Sequence, residues 1–187
     1  MNNLKEIELF SIDTLENIAI VEAPAIQIDF LCFNKEKQYA FTDNSKHILT
    51  GPFLIPEKRI LRYDEQGTPF NIYFSKSTVE KIAYEFMNSD KIHAFNLAHE
   101  KDTDKLTLIE SWVKVDENDK STALGIDVPV GTWLGSVKVN DDKIWKDIMA
   151  GKYNGFSIAG LFSVEDTEKS EEETLLAKIT EILKDVE

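Results

Sequence analysis

The alternation of apolar and polar residues predicts a domain with many short strands and few helices. Apolar or alternating runs of strand length occur at 18–21, 26–33, 48–55, 59–63, 70–74, 95–99, 106–115, 131–139 and 156–162. The run 48–55 contains Gly51-Pro52 and is followed by Pro56, so we expect an edge strand or a loop there, because proline donates no hydrogen bond to a sheet. The stretch 64–67 ends in Gly67 and predicts a hairpin turn between two of the strands.

The spacing of apolar residues also predicts two helices in the body of the chain. Ser77 with Glu80 three residues later forms a capping-box pattern at the start of the first helix. Its apolar face comprises Val79, Ile82, Ala83, Phe86 and Met87.

The second predicted helix begins at Asn140 or Asp141 and ends at Gly151. Its inward-facing residues are Ile144, Trp145, Ile148 and Met149. Most predicted strands do not alternate with helices, so the pattern favours an α+β fold whose sheet or barrel is mostly antiparallel.

Charge divides the chain into a main domain and an acidic tail. The 187 residues include 34 Asp and Glu against 21 Lys and Arg, which gives a net charge of −13. This balance argues against nucleic acid and against an anionic membrane as partners. Residues 165–187 hold nine acids and three lysines, so they contribute −6 of that charge. We therefore expect a main domain at 1–164 and a solvated acidic linker at 165–174.

The last segment, 175–187, has the pattern of a short amphipathic helix. Leu175, Ile179, Ile182 and Val186 recur at spacings of four, three and four residues. Two or three turns of helix are not stable alone, so this segment needs a partner within the chain or in another molecule. Association of copies through this helix is one expectation.

Several classes of protein lack their usual signals in this sequence. The first residues do not show the basic segment followed by an apolar segment that is typical of a secretory signal. No run of about 18 apolar residues predicts a membrane span. Cys32 is the only cysteine, and it lies in an apolar run, so we read it as a small buried residue. The three histidines form no metal-binding motif, and glycine-rich phosphate loops are absent.

Two segments contain residues suited to catalysis. Asn96-Leu97-Ala98-His99-Glu100 provides a histidine at a strand end, and Gly155-Phe156-Ser157-Ile158-Ala159-Gly160 provides a serine between small residues. A serine becomes a good nucleophile when a base such as histidine takes its proton. Ser157 is not in a Gly-x-Ser-x-Gly elbow, so spacing alone favours a plain strand serine and a structural histidine over a catalytic pair.

The order of several short elements resembles the phage prohead proteases, also called capsid maturation proteases. The matching elements, in order, are Gly51-Pro52, Ile55-Pro56, 75–83, 96–100, 109–113, Ala123-Leu124-Gly125, Gly131-Thr132-Trp133, 137–139 and 155–160. The resemblance implies the herpesvirus assemblin fold and serine endopeptidase activity without metal or cofactor. It implies that Ser157 is the nucleophile and His99 the base. It also implies phage scaffold and major capsid proteins as substrates, and a location in the host cytoplasm inside the procapsid.

Residues 18–25 resemble the strand that follows the catalytic serine in many of these proteases, yet here they precede every other element. This order resembles a circularly permuted branch, and it predicts that strand 18–21 lies in the sheet that carries Ser157. The third catalytic residue then has three candidates: Glu110, Asn17 and, behind them, Glu16.

Two other functions remain open from the sequence. A structural or scaffold component of the phage head could use the same fold without catalysis. An unrelated α+β binding domain is the third alternative.

Overall fold

The computed structural model describes residues 4–9, 11–23, 31–32, 46–64 and 66–163. The acidic linker at 165–174, the helix at 175–187 and most of the strand expected at 26–33 lie outside these ranges. Among the described residues, no helix has both the length and the apolar character needed to cross a membrane.

Strands dominate the described part of the chain, with three helices among them. The strands are β1 (Lys5–Leu9), β2 (Ser11–Val21), β3 (Leu31–Cys32), β4 (Ile48–Leu54), β5 (Ile60–Tyr63), β6 (Pro69–Phe74), β7 (Phe95–Leu97), β8 (Lys101–Thr103), β9 (Leu106–Val113), β10 (Trp133–Val139) and β11 (Gly155–Ser163), and the helices are α1 (Lys76–Met87), α2 (Lys120–Ala123) and α3 (Asp142–Met149).

The strands form three sheets, with the orders β1-β6-β5, β3-β4-β10-β9 and β11-β2-β7-β8. The β1–β6 and β2–β7 pairs are parallel and the other pairs are antiparallel, so the α+β prediction is confirmed. The barrel alternative is wrong for the described residues, because their sheets are open. Closure depends on strand tilt and stagger, which alternation of side chains does not encode.

Aromatic side chains join the sheets in the core. Phe53 on β4 makes edge-on contacts with Trp133 on β10 and with Phe156 on β11, with ring centroids 5.0 and 4.8 Å apart. Phe86 on α1 packs against Trp133 at 5.5 Å. All four side chains are buried. The strand that carries Ser157 is thus anchored through its neighbour Phe156 to a second sheet.

Helix α1 starts earlier than the capping-box pattern predicts. Ser75 is the N-cap, and its Oγ accepts a hydrogen bond from the Thr78 N–H at 3.4 Å. Ser77 therefore lies in the first turn, and Glu80 accepts from the Tyr84 hydroxyl instead of closing a capping box. Met87 is 44% exposed, so its assignment to the apolar face is wrong.

The structure confirms the predicted ends of the second helix, α3, and the predicted hairpin turn between β5 and β6. Asp141 caps α3 and Gly151 follows it with a positive φ, as expected. The turn between β5 and β6 contains Gly67 at φ 80°, and Asp64 Oδ1 accepts the backbone N–H of Gln66 and Thr68.

The edge position predicted for residues 48–55 is wrong. Strand β4 lies inside its sheet, between β3 and β10, and it is largely buried. The described pairing with β3 involves only Leu49 and Thr50, so Pro52 lies beyond it and its missing N–H removes no bond on that side.

Candidate functional site

The sheet β11-β2-β7-β8 has one apolar face and one polar face. Ile18, Ile20, Phe95 and Phe156 point into the hydrophobic core. Because side chains alternate along a strand, the residues between them occupy the opposite face. Ser157 belongs to this second face, so strand alternation keeps its hydroxyl out of the apolar core.

Ser157 is aligned with two residues on the neighbouring strands. It pairs with Ala19 of β2, and Ala19 pairs in turn with Asn96 of β7. This is the pairing expected between strand 18–21 and the serine strand. With neighbouring strands about 4.8 Å apart, the Cα atoms of Ser157 and Asn96 are about 10 Å apart. The small side chain of Ala19 is all that stands between them in this row.

His99 lies in the tight turn between β7 and β8, not in a strand running to residue 99 as expected. The Glu100 N–H donates to the Leu97 carbonyl at 3.0 Å and closes the turn. Ala98 and His99 have φ values of 56° and 58°. Positive φ at two successive residues is the pattern of a type I′ turn, which usually has Asn or Gly there. Ala98 and His99 are not typical of such a turn, so local sequence does not predict it.

Asn96 connects this turn to strand β2. Its Oδ1 accepts a hydrogen bond from the His99 backbone N–H at 3.0 Å, and its Nδ2 donates to Asn17 Oδ1 at 2.9 Å. The Asn96 side chain is buried. A chain of hydrogen bonds thus runs from Asn17 through Asn96 to the backbone of His99.

The structure places Ser157 on β11 and His99 in the turn that follows β7, two strands away in the same sheet, without joining them directly. Among the described residues, no hydrogen bond links the Ser157 hydroxyl to the His99 ring. Hydrogen bonds between catalytic groups are often long before substrate binds. The catalytic pair therefore stays a prediction.

Burial lowers the pKa of His99 below its ordinary value of 6.5, because partial desolvation disfavours the charged imidazolium. The downward shift of the pKa favours the neutral form of the ring. A neutral imidazole is the form that can accept a proton from a hydroxyl group.

The candidates for the third catalytic residue occupy different places. Asn17 pairs with Ala159 on β11, two residues from Ser157, and it contacts Asn96. Glu16 is the extra residue of a β-bulge, because the pairing with β11 continues from Asn17 directly to Leu15. None of the three candidates hydrogen-bonds to the His99 ring.

Glu110 lies in the other four-stranded sheet, on β9. Its carboxylate accepts hydrogen bonds from Lys120 Nζ and, at 2.6 Å, from Ser136 Oγ. These bonds, that of Lys120 above all, hold the pKa of Glu110 below its ordinary value. Thr50 extends the network through a 2.9 Å hydrogen bond to Ser136. The structure therefore joins Glu110 to its own sheet, and it joins Asn17 to the His99 turn.

An open groove of about 1320 Å³ lies between the β7–β8 hairpin and α3. Asn17 and Ala98 line it, whereas Ser157 and His99 do not. Lysines and acidic side chains alternate along its walls, so it has no single sign of charge. The groove reaches the His99 turn at Leu97, Ala98 and Glu100.

Asn96 is the residue that sequence reasoning missed. It lies in the same short segment as His99, three residues earlier, which is a spacing at which an amide side chain can reach a backbone N–H. Nothing in the sequence indicated that its other end would bond to Asn17, 79 residues away.

The described part of the chain is thus an α+β domain that carries a serine on strand β11 and a histidine in the β7–β8 turn of the same sheet. A family model described as "Putative phage serine protease XkdF" matches residues 41–166. The match covers more than half of the chain and includes His99 and Ser157, so the chain belongs to this phage serine protease family. Asn17 and strand β2 precede the matched range. Comparisons with curated proteins and with solved structures gave no significant match.

Proposed function

We propose that this chain is a serine endopeptidase that processes phage scaffold and capsid proteins during head maturation. The proposal rests on the strand register of one sheet in a chain that belongs to a phage serine protease family. Ser157, Ala19 and Asn96 form one row on the polar face, and Asn96 holds the turn that contains His99.

In this proposal His99 removes the proton from Ser157, and Ser157 Oγ attacks the carbonyl carbon of the scissile peptide bond. His99 then gives that proton to the leaving amine, and an acyl-enzyme remains. Water, activated by His99, hydrolyses the ester and restores the Ser157 hydroxyl. The neutral state of His99 at neutral pH suits the first step.

The pairing of β2 with β11 also supports a circularly permuted, assemblin-like arrangement. In this arrangement a strand from the start of the chain completes the sheet that holds the nucleophile. Of the candidates for the third member of the site, we favour Asn17, which would act through Asn96, over Glu110, which Lys120 and Ser136 engage.

The direct experiment compares Ser157→Ala with the unchanged protein during co-expression with the scaffold and major capsid proteins of the same phage. We expect cleavage of those proteins to stop in the variant. Ser121→Ala is the matched control, since Ser121 is fully buried in α2 and removal of its hydroxyl leaves the polar face intact. Undiminished processing by Ser157→Ala would refute the proposal and favour a structural head component on the same fold.

The acidic linker and the helix at 175–187 would serve location rather than cleavage. We propose that the helix contacts scaffold protein or another copy of the chain inside the procapsid, in the host cytoplasm. Deletion of residues 166–187 should then reduce incorporation into procapsids and leave peptide hydrolysis intact. Normal incorporation of the truncated protein would reject this role.

A further inference from the structure

We infer that Asn96, held by Asn17, is a positioning residue that fixes the backbone of the His99 turn in its left-handed conformation. This inference rests on the proposed function, in which His99 acts on Ser157. It adds to the candidate site a residue that touches neither the hydroxyl group nor the imidazole.

The turn needs such support because its sequence does not favour its shape. Ala98 and His99 both have a Cβ atom, and both have positive φ values, of 56° and 58°. For residues with a Cβ this conformation is unfavourable and persists only when the surroundings impose it. The closing bond from Glu100 to Leu97 is common to ordinary turns, so it does not by itself select positive φ.

Asn96 supplies a constraint that is specific to this conformation. Its buried Oδ1 accepts the His99 backbone N–H, and this bond requires that the N–H point back toward β7. The orientation of the Asn96 amide is fixed by the same bond, because a backbone N–H can only donate and therefore takes the Oδ1 side, which leaves Nδ2 to donate to Asn17 Oδ1. Asn17 thereby holds the end of the Asn96 amide that faces away from the His99 N–H.

The constraint determines where the His99 side chain leaves the backbone. If the turn relaxed to negative φ, the Cα–Cβ bond of His99 would change direction, and the ring would change its position relative to Ser157. Loss of alignment between reacting groups lowers the rate of the chemical step far more than it changes the fold.

The test combines amide hydrogen exchange, observed by NMR, with the rate at which a fluorophosphonate probe modifies Ser157. In Asn96→Ala we expect the His99 amide to exchange at least about tenfold faster and the modification rate to fall at least about tenfold. Asn17→Ala should change both in the same direction by less, and it provides the test if Asn96→Ala does not fold. Asn140→Ala is the control, because it removes a side-chain bond to Thr107 in the other sheet. Both quantities should stay unchanged in this variant.

Asn96→Asp separates positioning from simple loss of packing. Its carboxylate can still accept the His99 N–H, so exchange protection and most of the modification rate should return. The added negative charge should also raise the apparent pKa of the rate, because it favours the imidazolium form.

Unchanged His99 exchange or an unchanged modification rate in folded Asn96→Ala would overturn the inference. Failure of the probe to modify Ser157 in the unaltered protein would instead overturn the proposed function, and the positioning role with it. The two failures are distinguishable because the second is seen without any variant.

Discussion

Gly135→Ala should destabilise the protein by overpacking the core beneath the sheet that contains Glu110. Gly135 lies in the middle of β10 and pairs with Gly51 and Ser111. A Cβ atom at this position would come within less than 3.0 Å of two ring atoms of Phe53 and 2.9 Å from the backbone oxygen of Glu110. One of these groups must therefore move to admit the methyl group.

Phe53 cannot move easily, because its ring is in contact with Trp133 and Phe156 and is 1% exposed. Overpacking of a buried site costs about 1–3 kcal/mol. Alanine also lowers the conformational entropy of the unfolded chain, which offsets about 0.4–1 kcal/mol of this cost. A net loss of about 1 kcal/mol corresponds to a fall in Tm of about 2–4 °C for a chain of this size.

Urea denaturation of Gly135→Ala, Phe53→Leu and the double variant measures this clash directly. If Phe53 is the obstacle, the double variant should be more stable than the sum of the single changes predicts, by about 1 kcal/mol or more. Additive losses, or a Gly135→Ala variant as stable as the unaltered protein, would refute the reasoning.

Three further predictions follow from other parts of the chain. Lys114→Met should lower the free energy of unfolding by about 1–3 kcal/mol, because the buried Lys114 Nζ donates to the Val128 carbonyl at 2.8 Å. Glu117→Gln should lower it by less than about 0.5 kcal/mol, because the Glu117 side chain is exposed. The pKa of His99 in the folded protein lies below 6.5, so the unfolded chain binds a proton at His99 more readily than the folded protein does. Stability measured by urea denaturation should therefore fall as the pH decreases through 6.5. The fall should be smaller in His99→Gln. The acid limb of kcat/KM should likewise have its midpoint below pH 6.5, and a midpoint above 6.5 would contradict the assigned base.

The long apolar strands and the buried face of the first helix could be predicted from the sequence because each is coded locally. Val79, Ile82 and Phe86 repeat with the period of a helix, and all three are buried as expected. Strand β8 was missed because Lys101-Asp102-Thr103 contains no hydrophobic residue, and it pairs only through its backbone with β7. Local pattern could not show that Ser75, and not Ser77, caps α1, because both serines precede the same apolar face.

The candidate site was only partly predictable, since its geometry depends on contacts that are distant in sequence. Ser157 and strand 18–21 could be placed in one sheet from the resemblance, and the register agrees. The buried side chain of Asn96 bonds both to the left-handed turn at His99 and to Asn17, which lies 79 residues earlier in the chain. Glu110 looked equally suitable in sequence, but pairing of β9 with β10 places it beside Ser136.

The most direct measurement of the central claim is the rate at which a fluorophosphonate probe modifies Ser157, with the site identified by peptide mass mapping. We expect modification at Ser157 alone, and a rate at least about a hundredfold lower in folded His99→Gln, because the serine then has no base. No modification, or equal rates with and without the His99 imidazole, would contradict the assignment of Ser157 and His99 as a catalytic pair.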